Sequence, residues 1–242
     1  MKDTVFTLKR QTLIAKNTYE MVLEGDTEGI GAGQFVNIKL DGFYLRRPIS
    51  VADVEGDLLT IIYKVVGEGT AKMSTLPPCT ELLTLTGLGN GYDLTRSGEK
   101  PLLVGGGAGV PPMYYLARQL AKDGKSVTVI MGYGSADEVF YKEKFEALGA
   151  RVIVTTVDGT AGIKGFVTDA FDEVEYTYFY TCGPEPMLKA VYDRSVTEGE
   201  FSFEERMGCG FGACMGCTCE TKYGNKRICR DGPVLTKEEI VW

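Results

Sequence analysis

The chain contains no histidine. Histidine is the side chain that most often transfers protons near neutral pH, and it is a common ligand of zinc and of haem iron. Its absence excludes histidine acid–base catalysis, haem ligation by histidine, Rieske-type clusters and most zinc enzymes. The chemistry of this protein therefore rests on other residue types.

A basic surplus and long apolar runs are also missing. The chain has 26 Lys and Arg against 33 Asp and Glu, a net charge of −7, so nucleic acid is not an expected partner. Residues 1–4 show no apolar signal core, and no run is long enough for a membrane helix, which predicts a cytoplasmic protein without membrane contact. In that reducing compartment, clustered cysteines are expected to bind metal or to perform redox chemistry.

Five of the seven cysteines lie near the C-terminus. Four follow the spacing C-x4-C-x2-C, eleven residues and a further Cys, the plant-type pattern for a [2Fe–2S] cluster. The predicted ligands are Cys209, Cys214, Cys217 and Cys229, in a glycine-rich loop that can curl around a cluster. Position alone does not exclude Cys219, which is expected to be a buried thiol. A structural zinc site is the alternative, although zinc sites favour two C-x2–4-C pairs and no second pair follows downstream.

Residues 1–97 are rich in β-branched and aromatic residues, in short runs separated by turn residues. Several strands at this spacing predict a small antiparallel barrel. The predicted strands cover 5–8, 18–23, 34–40, 58–66 and 81–87.

Two motifs in this barrel have the residue types of a phosphate-binding site. In 46–50, Arg-Arg-Pro-Ile-Ser, an arginine fork could bind phosphate and the serine a ring nitrogen. In 67–70, Gly-Glu-Gly-Thr precedes a predicted helix at 71–76 and offers free N–H groups to phosphate. A solvated arginine pair and a plain turn are the alternatives, but both motifs lie about twenty residues apart on one barrel, which favours a shared ligand.

Residues 98–200 alternate between strands and helices, which predicts a parallel sheet with helices on both faces. Ligands of such sheets bind at the carboxyl ends of the strands. Two glycine-containing turns, 105–112 and 182–184, lie at such ends. The predicted strands cover 100–104, 126–131, 151–156 and 176–181, and the predicted helices cover 113–122, 141–148, 166–171 and 185–194.

The glycine run at 105–112 departs from the G-x-G-x-x-G dinucleotide pattern, because Val110 stands where the third glycine belongs. It still offers bare backbone followed by a helix start that tolerates proline, as a nucleotide site requires. A packing loop without a ligand is the alternative. Asp137 and Glu138, with no nearby Arg or Lys for a 2′-phosphate, favour NAD over NADP, and Asp158 is a further candidate for nucleotide contact.

Residues 201–242 carry the cysteine loop and a predicted hairpin over 218–222 and 225–229. A segment of this size cannot build a good core by itself, and a bound metal centre is one usual remedy.

Taken together, these motifs resemble the ferredoxin–NADP reductase superfamily and, within it, the electron-transfer subunits of dihydroorotate dehydrogenase B. The resemblance covers the full length, and the order of the parts is its most specific feature. It implies an α/β plus all-β fold: an antiparallel FAD-binding β-barrel at 1–97, a parallel-sheet NAD-binding domain at 98–200 and a small [2Fe–2S] domain at 201–242.

The resemblance also implies which residues hold the cofactors. Arg47 would lie near the FAD pyrophosphate and Ser50 near the flavin ring. The superfamily motif Arg-x-Tyr-Ser has an aromatic residue that this chain lacks, which leaves Tyr63 as the candidate to stack on the flavin. The implied FAD residues are Arg47, Pro48, Ile49, Ser50, Ile62, Tyr63, Lys64, Gly69 and Thr70. The implied NAD(H) residues are Gly105, Gly106, Gly107, Gly109, Cys182, Gly183 and Pro184.

The implied activity is electron transfer in pyrimidine biosynthesis. Electrons from dihydroorotate oxidation on a separate FMN subunit would cross the cluster and FAD to NAD+, in a heterotetramer of two plus two chains. No side chain of this chain is expected to be catalytic, because proton abstraction from dihydroorotate would belong to the partner. The alternatives are a subunit of a sulfide dehydrogenase or of an NADH-dependent ferredoxin:NADP oxidoreductase, and a zinc-stapled nucleotide-binding regulator.

Overall fold

The computed structural model describes residues 1–242. Its N-terminal part consists of six strands and one short helix. These are β1 (Lys2–Ala15), β2 (Thr18–Glu24), β3 (Phe35–Ile38), β4 (Arg47–Glu55), β5 (Leu58–Lys64), α1 (Glu68–Met73) and β6 (Glu81–Leu88).

The six strands close into an antiparallel barrel in the order β1-β2-β5-β4-β3-β6, which confirms the predicted barrel. The Arg-Pro-Ile-Ser motif opens β4, and the strand continues to Glu55. Pro48 is the second residue of β4 and pairs with Asn37 of β3. A proline is tolerated there because it lies near the start of the strand, where a missing N–H costs least.

The central part alternates strands and helices as predicted. Its elements are β7 (Pro101–Gly106), α2 (Val110–Lys122), β8 (Thr128–Tyr133), α3 (Lys142–Ala147), β9 (Arg151–Thr156), β10 (Ile163–Lys164), β11 (Tyr178–Cys182), α4 (Glu185–Arg194) and β12 (Gly199–Ser202). The last part contains β13 (Thr218–Thr221), β14 (Gly224–Arg227), α5 (Ile228–Asp231) and β15 (Val234–Thr236).

Several boundaries differ from the prediction for local reasons. Helix α1 begins at Glu68, before the predicted 71, because the Thr70 hydroxyl accepts the N–H groups of Val66 and Gly67 and closes the first turn. Helix α2 begins at Val110, before the predicted 113, and takes Pro111 and Pro112 into its first turn, where no N–H is needed. The segment predicted as a helix at 166–171 is a 3₁₀ helix, Val167–Glu173.

Seven strands form the second sheet in the order β10-β9-β8-β7-β11-β12-β15. All neighbours are parallel except the pair β12–β15. Strand β12 crosses the predicted boundary at residue 200, and β15 returns from the cysteine segment to the same sheet. The C-terminal segment is therefore fastened to the nucleotide sheet by strands, and the division of the chain into three domains stays a prediction.

The cysteine segment also shares a core with the barrel. Buried Cys217, Ile228 and Cys229 pack with Phe35 of β3 and with Leu85, Leu88 and Leu235. The hairpin predicted at 218–222 and 225–229 is shorter, because Ile228 and Cys229 belong to the helical turn α5. This small segment therefore gains its apolar burial from the barrel wall rather than from a core of its own.

Polar contacts join the barrel to the central part of the chain. Glu20 of β2, 4% exposed, accepts hydrogen bonds from Tyr141 and Lys144, and Asp53 of β4 pairs with Arg118 of α2 at 2.7 Å. No helix of the protein has the length and apolar character needed to cross a membrane.

Candidate functional site

A cleft of about 640 Å³ lies where the barrel, the nucleotide sheet and the cysteine segment meet. It collects most of the residues implied for FAD and NAD(H). Those that line it are Arg47, Pro48, Ile49, Ser50, Ile62, Tyr63, Lys64, Thr70, Gly106, Gly107, Gly109, Cys182, Gly183 and Pro184. Gly69 and Gly105 do not line it. Residues far apart in sequence therefore converge on one cleft, as a large shared cofactor would require.

Arg47 is held in place before any ligand binds. Its Nη1 donates to the carbonyls of Leu45 at 2.7 Å and Arg46 at 3.3 Å, and its guanidinium lies 4.7 Å from the centre of the Phe43 ring. Position 69 requires glycine, because a Cβ there would lie 2.0 Å from Arg47 Nε. The glycine thus lets α1 approach the guanidinium of Arg47, a residue that lines the cleft.

Arg46, the other arginine of the pair, has a different role. It forms an ion pair with Asp3 at 2.9 Å and donates to the carbonyl of Asn37 at 3.4 Å. It lines a second cavity, of about 800 Å³, between the barrel, α4 and the C-terminal Trp242. Of these two arginines, Arg47 lines both cavities and Arg46 lines one, so they are not interchangeable.

Tyr63 lines the cleft but is poorly placed to stack on a flavin. Its ring is 3% exposed and stacks on Tyr19 at 5.9 Å, and its hydroxyl donates to Gln11 at 2.8 Å. These contacts use both the ring face and the polar tip of the side chain. Tyr63 therefore borders the cleft as a packed wall residue.

Lys64 spans the cleft from barrel to nucleotide sheet. It pairs with Glu138 at 2.6 Å, and Glu138 also accepts the N–H of Gly134 at 3.0 Å. The other acid of that turn, Asp137, pairs with Lys16 at 2.9 Å. Both acids that favoured NAD in the sequence therefore have lysine partners. They support NAD over NADP less strongly than the sequence alone indicated.

The two glycine turns of the nucleotide part lie side by side. Strands β7 and β11 are parallel neighbours, with Gly105 opposite Cys182. A Cβ on Gly109 would lie 2.0 Å from the Cys182 carbonyl, so only glycine permits this approach. Gly107 has a φ of +51° and nothing within 4 Å of its missing Cβ, which leaves bare backbone facing the cleft.

Cys182 lines the cleft with a protonated thiol. Burial raises the pKa of Cys182 to about 12, and the nearby Ser202 hydroxyl offsets only part of that effect. A neutral thiol is a small apolar group with weak hydrogen-bonding capacity. It suits a wall beside a planar ring better than the role of a nucleophile.

The four predicted cluster cysteines form two pairs. The N–H of Cys214 donates to Cys209 Sγ at 3.4 Å, and the N–H of Cys229 donates to Cys217 Sγ at 3.4 Å. No group of three or more His, Cys, Asp or Glu side chains converges as the ligands of one metal ion would. Two cysteines for each of two iron atoms is the arrangement that a [2Fe–2S] cluster with four thiolates requires.

Backbone N–H groups surround the first pair. Burial disfavours a thiolate at Cys209, but the N–H groups of Phe211, Cys214 and Ala213 outweigh burial and lower the pKa of Cys209 to about 6. Their distances to Cys209 Sγ are 3.5, 3.4 and 3.2 Å. The loop is therefore shaped to hold negative charge on sulfur, which is the charge that an iron-bound thiolate carries.

Cys219 packs near the second pair but makes no hydrogen bond through its sulfur to either pair. It belongs to β13 opposite Lys226 and lines the cavity that contains Trp242. Burial is the main cause of the raised pKa of Cys219, and Glu205 adds to it. This placement supports the assignment of Cys219 as a non-ligand, and the complete ligand set stays a prediction.

Sequence reasoning missed several residues of the cleft wall. They lie on barrel strands, at or after the end of β8, or at or after the end of β12, and no motif assigned them to a cofactor. Their position at the end of a parallel strand was a signal for some of them. The missed residues include Thr18, Phe35, Tyr133, Phe140, Ser202, Phe203, Glu204, Glu205 and Met207.

Two family models match the chain. Residues 103–193 match the oxidoreductase NAD-binding domain, and residues 204–241 match the iron–sulfur cluster binding domain of dihydroorotate dehydrogenase B. With the barrel and the cleft, these matches define a flavin-type, ferredoxin reductase-like oxidoreductase with a C-terminal iron–sulfur domain. They confirm the predicted fold class and the cofactor set of FAD, NAD(H) and a [2Fe–2S] cluster.

Similar proteins show which family within this class the chain belongs to. The chain is 42% identical to a protein of Fusobacterium nucleatum and 44% identical to one of Bacillus pumilus, over 99% of its own length and 99% and 98% of theirs. Both are named electron transfer subunit of dihydroorotate dehydrogenase B (NAD(+)). The chain belongs to this family, which confirms the resemblance.

Solved structures agree on the fold. An NADH-dependent reduced ferredoxin–NADP oxidoreductase, studied for flavin-based electron bifurcation, aligns with a TM-score of 0.88 and 28% identity, over 98% of this chain and 90% of that one. Phthalate dioxygenase reductase aligns with a TM-score of 0.64 and 19% identity, over 79% of this chain and 64% of that one, and shows the fold alone.

Proposed function

We propose that this chain passes electrons from dihydroorotate oxidation, carried out on a separate FMN subunit, to NAD+ in pyrimidine biosynthesis. The observation that carries the proposal is the convergence of three parts on one cleft, with the paired cysteines packed against the barrel strand β3. A flavin exchanges two electrons as hydride with a nicotinamide and single electrons with a cluster, which is the chemistry such a set of cofactors supplies.

The residues of this chain bind the cofactors and orient them. Arg47 offers a fixed fork donor to a pyrophosphate, and Ser50 lies three residues further along β4 in the same cleft. Gly107 and Gly109 present backbone where the helix α2 begins, which favours a nucleotide phosphate. Phe35 lines the cleft and packs in the same core as Cys217 and Cys229, so β3 is the wall between flavin cleft and cluster site.

The partner and its arrangement belong to the same proposal. Because this chain has no histidine, proton abstraction from dihydroorotate is assigned to the FMN subunit. A heterotetramer of two plus two chains is proposed, and so is a cytoplasmic location. Cys214 and Met215 are both exposed on the cysteine loop, which supports a cluster end of the path at the surface of this chain.

The test uses the purified chain with and without the FMN subunit. The chain alone should be yellow-brown, oxidise NADH with an artificial acceptor, and leave dihydroorotate unchanged. Addition of the FMN subunit should give NAD+ reduction driven by dihydroorotate. Dihydroorotate oxidation by the chain alone would contradict the proposed division of labour, and a colourless zinc protein would contradict the cofactors.

The structural similarity at a TM-score of 0.88 favours one second candidate, a subunit of a ferredoxin–NADP oxidoreductase. The two functions differ in the electron donor. Reduced ferredoxin that drives NAD(P)+ reduction by the isolated complex, with no response to dihydroorotate, would favour the second candidate.

A further inference from the structure

Arg227 connects the two halves of the cluster site. It is the last residue of β14 and stands two positions before Cys229. Its Nη1 crosses to the cysteine loop, where it donates to the carbonyl of Gly212 at 3.0 Å and lies 4.0 Å from Met215 Sδ. The side chain is 22% exposed, so most of it is withdrawn from solvent.

Asp231 fixes the other edge of the guanidinium. Its Oδ2 accepts Arg227 Nε at 3.0 Å and the Arg227 backbone N–H at 2.9 Å, and its Oδ1 accepts Nη2 at 3.4 Å. A planar guanidinium held along its Nε–Nη2 edge directs Nη1 away from the carboxylate. That direction is the Gly212 carbonyl, so the positive end of the ion pair faces the cysteine loop.

The Gly212 carbonyl belongs to the peptide unit whose N–H is that of Ala213. This N–H donates to Cys209 Sγ at 3.2 Å, the shortest of the three N–H contacts to that sulfur. A chain of donors therefore runs from Arg227 through one peptide to a predicted cluster ligand. Hydrogen bonds in series polarise one another, and a donor to the carbonyl strengthens the N–H as a donor to sulfur.

Gly212 also packs the cysteine loop against the segment that contributes Arg227. Its φ is +91°, and a Cβ there would lie 2.7 Å from Arg230 Cδ, so the loop packs directly on the segment that follows Arg227. This close approach keeps the Gly212 carbonyl within reach of the Arg227 side chain.

We propose that Arg227 is a positioning residue that raises the electron affinity of the cluster by orienting and polarising the Gly212–Ala213 peptide toward Cys209. Reduction adds negative charge to the cluster, and both the N–H donor and the nearby guanidinium stabilise that charge. The inference rests on the [2Fe–2S] cluster of the proposed function and adds a residue that no cysteine motif contains.

The test is a redox titration of the full chain followed by electron paramagnetic resonance. Arg227→Gln should shift the cluster midpoint potential to a more negative value, because a charge and a donor are lost together. Arg227→Lys keeps the charge without the fork and should fall between wild type and Arg227→Gln. Asp231→Asn removes the opposing charge and should shift the potential in the positive direction.

Lys226→Gln is the matched control. It removes the same charge from the neighbouring residue of β14, whose side chain pairs with Glu239 at 2.7 Å and makes no hydrogen bond to the cysteine loop. This variant should keep the wild-type potential and signal. Release of iron to a chelator should be about tenfold faster in Arg227→Gln than in Lys226→Gln, as expected for one lost hydrogen bond to a charged group.

The possible outcomes distinguish failure of the role of Arg227 from failure of the proposed function on which it rests. A wild-type chain without a [2Fe–2S] signal after reduction would overturn the cofactor assignment itself. A normal wild-type signal, with Arg227→Gln equal to Lys226→Gln in potential, would overturn only the role of Arg227. Equal negative shifts in Arg227→Gln and Asp231→Asn would also overturn it, since they would indicate loss of a structural pair. If Arg227→Gln fails to retain a cluster, the opposite shifts expected of Arg227→Lys and Asp231→Asn decide the question.

Discussion

Replacement of Gly69 by alanine should weaken FAD binding without weakening the fold. The new Cβ would lie 2.0 Å from Arg47 Nε and 2.6 Å from its Cζ. Since close contacts between such atoms need about 3.4 Å, the guanidinium would have to move by roughly 1.4 Å. The helix itself should accept alanine, which is favoured over glycine in helix interiors by about 0.5–1 kcal/mol.

The displaced group is the fork donor proposed for the FAD pyrophosphate. A hydrogen bond to a charged group contributes about 1.5–3 kcal/mol, so its loss corresponds to a roughly 10- to 150-fold rise in the Kd of FAD. Its present geometry depends on the Leu45 carbonyl at 2.7 Å and the Phe43 ring at 4.7 Å, and a shift of this size would break both contacts. Fluorescence quenching of FAD by the deflavinated chain measures the Kd directly.

Gly67→Ala provides the matched control. It adds the same methyl group two residues away, where the backbone is extended at a φ of −168° and no atom lies within 4 Å of the new Cβ. The control should bind FAD within about threefold of wild type, a difference of less than 1 kcal/mol. A Gly69→Ala chain with wild-type FAD affinity would refute the role given to Arg47, and one with a lowered unfolding temperature would refute the claim that the fold is spared.

Three further predictions concern the cluster, the interface and pH. Cys214→Ser should abolish the cluster signal after reduction, whereas Cys219→Ser should retain it; the reverse result would show that the ligand assignment is wrong. Arg118→Leu should lower the free energy of unfolding by about 2 kcal/mol, because the mostly buried carboxylate of Asp53 loses its partner. Chemical denaturation measures this change, and an unchanged midpoint would contradict the prediction. Burial raises the pKa of Glu200 to about 7 from 4.5, so its contribution to stability is complete below about pH 4.5 and is lost as pH rises through 7. The stability of wild type relative to Glu200→Gln should therefore fall by about 2.5 kcal/mol between pH 5 and 8, and parallel pH profiles would count against this.

The fold followed from the sequence wherever local patterns and packing agreed. Helix α4 has the predicted bounds, since Glu185-Pro186 opens it and its apolar positions repeat along one face. Helix α1 was misplaced by three residues because its start depends on the Thr70 hydroxyl, which caps Val66 and Gly67 from inside the helix. The spacing of residues in a single sequence does not reveal a cap of this kind.

The candidate site was predictable to the extent that motifs carry it. Arg47, the glycine turns and the cysteine loop have residue types whose chemistry is visible in the sequence. Phe35 and Glu204 were not predicted as cleft residues, because their role comes from the strands and loops packed around them. Tyr63 was predicted to line the cleft and does so, but its stacking on Tyr19 arises from the neighbouring strand β2, which no local pattern reports.

The sequence by itself determined the chemistry of this protein: four cysteines at cluster spacing, bare glycine turns after buried strands, and no histidine for proton transfer. These features are local, because they depend on residue types a few positions apart. Tertiary structure decided which of them meet. Only the packing of β3 between the cleft and the cysteine segment joins a flavin site to a cluster site, and only the fold brings Arg227 to the Gly212 carbonyl. Distances between residues far apart in the chain depend on the closed barrel and the seven-stranded sheet, and the spacing of residues along the sequence does not contain them.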